Sequence, residues 1–260
     1  PMTLLAGKRL LITGVVTTES IAFATADAAQ RLGADLVLTT FARDRARTEE
    51  AAAELLKPVP LLEFDATDEA HVVRLGDDLA EHWGQLDGAL HAVAFAPRAA
   101  LAGAFLDADL ASAQQAFATS TYSYGALARI LDRLAPAAGG SLVGLDFDAA
   151  GAWPVYNWMG VCKAALESVS RYVARDLGPR RIRSNLIAAG PLHTRAAGGI
   201  PEFQRLTGAW EDRSPLPWDA TDPTPVADAA CFLLSDLARA ISGEILHVDG
   251  GYHAMAAPLR

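Results

Sequence analysis

Cysteine is scarce. Cys162 and Cys231 stand alone in 260 residues and make no CxxC pair and no disulfide framework, so a reducing cytoplasm is the expected setting. No apolar run reaches the roughly 18 residues that a membrane-spanning helix needs. The N-terminus has no apolar signal core, and no membrane partner is expected. Positive charge is also short: 22 Lys and Arg face 31 Asp and Glu, a net charge of −9. That balance argues against a broad nucleic-acid surface, and no nucleic-acid partner is expected. Apolar residues make 51% and charged ones 20%, which excludes a disordered or charged-tail protein. Repeats, low-complexity tracts and linkers are missing. One domain spanning residues 2–260 is therefore expected, with Pro1 set aside as a remnant of cleavage ahead of Met2.

What is present is a regular alternation of apolar runs and amphipathic stretches. Strands are expected at 9–14, 36–40, 60–64, 86–93, 140–145, 181–188 and 244–248. Helices are expected at 20–32, 43–56, 69–83, 154–177 and 224–234, with one or two more across 106–134. Residues 190–218 read as irregular with short helical pieces. This order implies an α/β fold, a single doubly wound parallel sheet of about seven strands with helices on both faces. Ligands of such a sheet sit beyond the carboxyl ends of its strands. The residues to read are therefore 14–21, 41–43, 65–66, 93–96, 146–148 and 190–194.

A GxGxxG fingerprint is absent after the first strand. Gly14 permits a tight turn, and Ser20 stands where a helix should begin. Ser20 is either an ordinary helix cap or, with the free N–H groups there, part of a pyrophosphate site. Phe41 is either a surface aromatic or a platform for an adenine ring. No acid for a ribose 2′-hydroxyl stands at 39–43, and Arg43 can pair with a 2′-phosphate, so NADP stays open beside NAD. Asp65 reads as a cap or as an acceptor for the adenine amino group. The Gly190-Pro191 turn suits contact with a nicotinamide.

Tyr156 and Lys163 are seven apart on one expected helix, nearly two turns at about 3.6 residues each, and so share a face. A phenol beside an ammonium is expected to have a lowered pKa and to stabilise an oxyanion. The alternative is a core-edge tyrosine and a lysine reaching for solvent. Thr13-Gly14, the run Asn185 to Pro191, and Val248-Asp249-Gly250-Gly251 resemble the short-chain dehydrogenase/reductase superfamily. Its ordinary ketone reductases carry Tyr-x-x-x-Lys, but four before Lys163 stands Met159. Tyr156-x6-Lys163 is instead similar to the divergent branch, the NADH-dependent enoyl-[acyl-carrier-protein] reductases of bacterial type II fatty acid synthesis. Ser20 to Phe23, Phe41, Gly144 to Asp148 and Tyr156 to Met159 resemble its mycobacterial members in particular.

The resemblance implies a Rossmann-type subunit, usually a homotetramer. Tyr156 would bond the thioester carbonyl of an enoyl substrate carried by acyl carrier protein or coenzyme A. Lys163 would hold the nicotinamide ribose, and Phe147 would pack beside the nicotinamide. Ser20, Ile21, Asp65, Ala66, Val93, Ala94, Leu192 and Thr194 would line the dinucleotide with Gly14, Phe41 and Gly190. Phe147, Trp153, Tyr156, Ile200, Phe203 and Leu206 would line the acyl chain. No metal is expected. Arg195 or Arg205 near the portal would meet an acidic carrier protein.

The chain also departs from the branch. His91-Ala92-Val93-Ala94-Phe95 replaces HSIGF, and Ala42 replaces an acid that often follows the position of Phe41. The loop from Thr194 to Trp210, sixteen steps, is shorter than in mycobacterial members and implies a preference for short or medium chains. Two other readings stand beside the reductase: a carbonyl reductase of the same fold, and a cofactor-binding regulator without turnover, suggested by Ala92 and Ala94. The resemblance implies that the Ala94 methyl projects toward space that the branch's diphenyl-ether inhibitors use, the alternative being that Val93-Ala94 is a neutral repacking of the strand end. One surplus methyl costs about 1–3 kcal/mol, roughly tenfold to over a hundredfold in affinity. Ala94→Gly is expected to lower the inhibition constant of such a compound without loss of turnover. Equal constants for the two proteins would contradict it.

Overall fold

The computed structural model describes residues 3–256. Pro1, Met2 and residues 257–260 of the expected domain lie outside them. The apolar runs form the strands β1 (Arg9–Ile12), β2 (Asp35–Thr40), β3 (Leu61–Glu63), β4 (Gly88–His91), β5 (Gly140–Asp146), β6 (Ile182–Ala189) and β7 (Ile245–Val248). They make one parallel sheet in the order β3-β2-β1-β4-β5-β6-β7. The chain winds outward from β1 to β3, then returns to lay β4 on the other side of β1. The carboxyl ends of β1 and β4 therefore flank the switch point where such sheets bind ligands.

Strand alternation feeds two cores. Leu10 and Ile12 face one layer with α1 (Ile21–Arg31) and α9 (Thr224–Leu234), where Ala22, Ala26, Val226 and Ala230 are buried. Leu11 faces the other, with α3 (Glu69–Trp83), α6 (Ser123–Leu134) and α7 (Asn157–Leu177), where Leu75, Leu79, Leu127, Leu131 and Leu166 are buried. Period 2 in a strand puts neighbours on opposite faces, so a sheet covered on both sides reads as unbroken apolar runs. Each fully buried leucine contributes about 1.5–3 kcal/mol.

Several boundaries differ from expectation, each for a local reason. The stretch 106–134 divides into α5 (Leu110–Phe117), a π-helical turn at Ala118–Tyr122, and α6. In that turn the Ser120 hydroxyl donates to the Phe95 carbonyl and accepts the Phe95 N–H, both at 3.0 Å, while Thr121 donates to the Cys162 carbonyl at 2.8 Å. Hydroxyls that bond neighbouring backbone favour such departures from the α-helix. The second helix begins with a 3₁₀ turn at Ala42–Asp44 before α2 (Arg45–Ala53), and a four-residue α4 (Arg98–Leu101) follows the loop after β4. Residues 190–218 contain an eleven-residue helix, α8 (Phe203–Arg213). The long helix expected from 154 starts only at Asn157, because Val155 and Asn157 have φ of 61° and 40°.

Beyond the sheet, β1 and β4 are laced together. The Thr13 hydroxyl donates to the Leu90 carbonyl at 2.9 Å and accepts the Ala92 N–H at 3.0 Å. Gly14 follows with φ 84°, and a Cβ there would lie 2.0 Å from the Ala92 carbonyl oxygen. Both facts require glycine. Gly14→Ala is expected to destabilise the fold by about 2 kcal/mol or more, read as a lower midpoint in urea. An unchanged midpoint would mean that this close approach is not a constraint.

Candidate active site

Strand β5 carries the chemistry to the sheet's carboxyl edge. Its Leu145 carbonyl accepts the Lys163 ammonium at 2.7 Å, and Lys163 is buried on the second turn of α7. Burial lowers the Lys163 pKa, opposed by the nearby Asp146 carboxyl and then Cys162. Asp146 is 5% exposed, and neither of its carboxylate oxygens has a hydrogen-bond partner. Burial pushes its pKa up to about 7 against the pull of Lys163. His91, at the end of β4, bonds Ser123 at 2.7 Å and is held down to about 3, chiefly by burial and then by Lys163. It is neutral at pH 7.

Tyr156 stands just ahead of α7, between Val155 and Asn157, and is buried. The expectation of a lowered phenol pKa is overturned: burial first and the Asp146 charge second raise it. The physical reason is desolvation of the phenol, with the Lys163 ammonium directed to the Leu145 carbonyl. Asn157 is tied down by its side-chain amide, which donates to the Leu101 and Gly103 carbonyls at 3.1 Å each. The left-handed turn is thus fixed from both α4 and the start of α7.

An aromatic wall closes this end. The Phe147 ring centroid lies 5.0 Å from Tyr156, 5.2 Å from Trp153 and 5.6 Å from Trp210, and Trp210 stacks on Tyr252 at 3.9 Å. Ile200 packs against the same cluster. Leu206 is buried on α8, but Phe203 meets His193 edge-on at 5.5 Å instead. Trp210 and Tyr252 were missed in the sequence, since neither stands in a spaced motif. Gly190 admits the wall to the sheet edge: a Cβ there would meet Trp218 at 2.7 Å and the Trp210 Nε1 at 2.9 Å.

At the other end, the Ser20 hydroxyl donates to the Thr17 carbonyl at 2.8 Å and caps α1 by accepting the Phe23 N–H at 3.0 Å. The Ile21 and Ala22 N–H groups have no acceptor within the helix. Phe41 is half-buried, with the Arg43 guanidinium 5.2 Å from its ring centroid. One Asp65 oxygen accepts the Thr67 N–H and hydroxyl at 2.9 and 2.7 Å, and Ala66 is buried. Val93 and Ala94 lie past β4 in the loop rather than in the strand, with Ala94 exposed. Leu192 is buried, and the Thr194 hydroxyl accepts the Ala197 N–H at 3.2 Å. Arg195 sits 3.6 Å from Asp44, and Arg205 bonds Glu202 at 2.6 Å. Both expected portal cations therefore have acidic partners; the Arg205–Glu202 pair is exposed and worth little, while Asp44 is largely buried beside Arg195.

A doubly wound parallel sheet with a Tyr and a Lys converging at the end of β5 defines the short-chain dehydrogenase/reductase class. Within it, the family model described as enoyl-(acyl carrier protein) reductase matches residues 14–253. The enoyl-[acyl-carrier-protein] reductase [NADH] of Mycolicibacterium smegmatis is 43% identical, covering 95% of this chain and 97% of that one. The protein of the same name from Mycobacterium avium is 41% identical, over 95% and 97%. The FabI enzyme of Neisseria meningitidis is 40% identical, over 96% and 97%. The chain belongs to the enoyl-(acyl carrier protein) reductase family.

Val155 is β-branched, and φ of 61° is strained for it, by about 1–3 kcal/mol. Val155→Gly is expected to raise the melting temperature by a few degrees while lowering kcat, because Tyr156 loses its fixed approach. A lower melting temperature would show that the turn stores no strain.

Proposed function

We propose that this chain is an NADH-dependent enoyl-[acyl-carrier-protein] reductase, which saturates the trans-2 double bond of enoyl thioesters in type II fatty acid synthesis. The observation that carries this reading is the buried pair Tyr156 and Lys163, seven apart, in a chain with Met159 where a carbonyl reductase would carry its tyrosine. The same observation weighs against the carbonyl-reductase alternative. A regulator without turnover has only Ala92 and Ala94 in its favour, and neither blocks Tyr156 or Lys163.

The residues present fit a dinucleotide. Gly14 lets the turn after β1 pass against the Ala92 carbonyl, and the N-terminus of α1 that follows, with its free N–H groups, suits the pyrophosphate. The Lys163 ammonium, with three N–H donors, has one directed to Leu145 and two left for ribose hydroxyls. Phe41 offers a face to the adenine, and Asp65 and Ala66 border it. Val93, Ala94, Gly190, Leu192 and Thr194 line the remainder. When bound, the reduced nicotinamide supplies the hydride that C3 of the substrate takes up. Phe147 holds the reacting carbon against that face. The Tyr156 hydroxyl donates to the thioester carbonyl and stabilises the enolate oxygen until C2 is protonated. The aromatic wall excludes water and, with Ile200 and Leu206, receives a short or medium acyl chain. Phe203, turned toward His193, contributes at the rim.

The substrate arrives on acyl carrier protein or coenzyme A. NADH is preferred to NADPH, in line with the relatives named for NADH, although Arg43 stands beside Phe41, where a 2′-phosphate would be read. The enzyme works in the cytoplasm as a single cofactor-binding and catalytic domain; no helix among the described residues is long and apolar enough to cross a membrane. It assembles as a homotetramer. An apolar groove of about 590 Å³ between α6 and α7, with Ala128, Val169, Tyr172 and Val173 among its lining, suits pairing of these helices with those of a second copy.

Tyr156→Phe is expected to lower kcat on crotonyl thioesters by about 10²–10³ with little change in NADH affinity. Lys163→Ala is expected to raise the NADH dissociation constant about tenfold or more, through lost charge-assisted bonds. Unchanged turnover in both variants, or faster turnover of acetoacetyl than of crotonyl thioesters by the wild type, would overturn the assignment.

A further inference from the structure

Asp146 is not used by the reaction as described, yet it occupies the centre of the site. It lies between Leu145, whose carbonyl takes the Lys163 ammonium at 2.7 Å, and Phe147, whose ring is 5.0 Å from Tyr156. Here a carboxyl is 5% exposed, and both of its oxygens are buried without a hydrogen-bond partner. A buried carboxylate left without bonds is strongly disfavoured unless a positive charge stands near it.

The groups around Asp146 come from several elements. Lys163 and Glu167 face it from α7, Tyr156 from the turn ahead of that helix, and Asp148 from its own loop. His91 lies one strand away, paired with Gly144, and His247 lies two strands away through Ala188. His91 is neutral, while His247 sits 3.9 Å from Asp148. Lys163 and, more weakly, the Phe147 backbone N–H lower the carboxyl, Glu167 and Asp148 raise it, and burial outweighs them all. Asp146 is thus a raised, buried carboxyl beside one ammonium, and a change of one charge next to it shifts its protonation.

The nicotinamide ring supplies such a change, being neutral when reduced and positive when oxidised. We infer that Asp146 is a charge-compensating residue of the cofactor site: its carboxyl keeps a proton while the reduced cofactor is bound and releases it when the oxidised one is. The inference rests on the nicotinamide end lying at Tyr156 and Lys163, as proposed above. Each turnover adds one hydride at C3 and one proton at C2 and leaves a positive ring where a neutral one was. The proton lost from the Asp146 Oδ matches the one gained at C2, so the buried charge is the same before and after. Solvent returns a proton to Asp146 when the oxidised cofactor departs.

The sign is fixed by linkage. Oxidised cofactor selects the ionised carboxylate and binds more tightly as pH rises toward the pKa of the free enzyme. Reduced cofactor selects the protonated form and binds more weakly above it. One linked proton changes the ratio of the two dissociation constants by at most about tenfold per pH unit.

The test is direct titration of the wild-type protein with NADH and with NAD at pH 6 to 8, without substrate. The ratio of the NADH to the NAD dissociation constant is expected to rise about tenfold across that range. In Asp146→Asn and in Asp146→Ser, both neutral and small enough for the site, the ratio is expected to be flat. A flat ratio in the wild type, or a slope that survives in both variants, overturns the inference. Failure of the site reading looks different: Lys163→Ala would then leave both dissociation constants unchanged at every pH.

Discussion

The bond from the Lys163 ammonium to the Leu145 carbonyl holds the candidate site to the sheet. An ammonium buried on α7 needs acceptors, because desolvation disfavours its charge. The last carbonyl-bearing stretch of β5 supplies one at 2.7 Å. This contact ties α7 to the strand edge, and Tyr156 stands one left-handed turn ahead of the helix. It also leaves Asp146 beside the same ammonium with no donor of its own. Three ionisable groups are thereby held in one dry pocket, where each alters the others: Lys163 lowers Asp146, and Asp146 raises Tyr156 and Lys163.

Around that contact, close approaches confine what is possible. Gly14 lies against the Ala92 carbonyl at the cofactor end, and Gly190 lies against Trp218 and Trp210 at the other. The first lets the β1 turn meet the loop after β4, with Thr13 bonded to both Leu90 and Ala92. The second lets two indoles reach the sheet edge. Between them the wall of Phe147, Trp153, Trp210 and Tyr252 is a continuous set of ring contacts. Burial at this end raises the pKa of both the Asp146 carboxyl and the Tyr156 phenol.

Much of this was legible in the residues. Seven apolar runs separated by amphipathic ones implied the parallel sheet, because a strand covered on both faces has no polar alternation. Tyr156 and Lys163 were legible by spacing, and Thr13-Gly14 by its place after the first strand. The start of α7 was not. The expected helix ran from 154, but positive φ at Val155 and Asn157, with Asn157 bonded to Leu101 and Gly103, delays its start. Trp210 and Tyr252 were hidden too, forty-two residues apart in the sequence and stacked in space. Phe203 was expected to line the acyl chain, and its ring meets His193 edge-on beside the main wall.

Local sequence determined the strands, most helices, the turn at Gly14 and the identity of the two groups at the candidate site. These depend on side-chain period and backbone freedom, which a short window of residues carries. Tertiary structure decided the charge states. Whether Tyr156 is a more or less acidic phenol depends on which carbonyl Lys163 reaches and how much water remains, and both are set by elements far apart in the chain. The same holds for Asp146, whose carboxyl would be an ordinary acid in solvent. Burial between β5 and α7 moves its pKa up to about 7, because desolvation outweighs the one cation within reach.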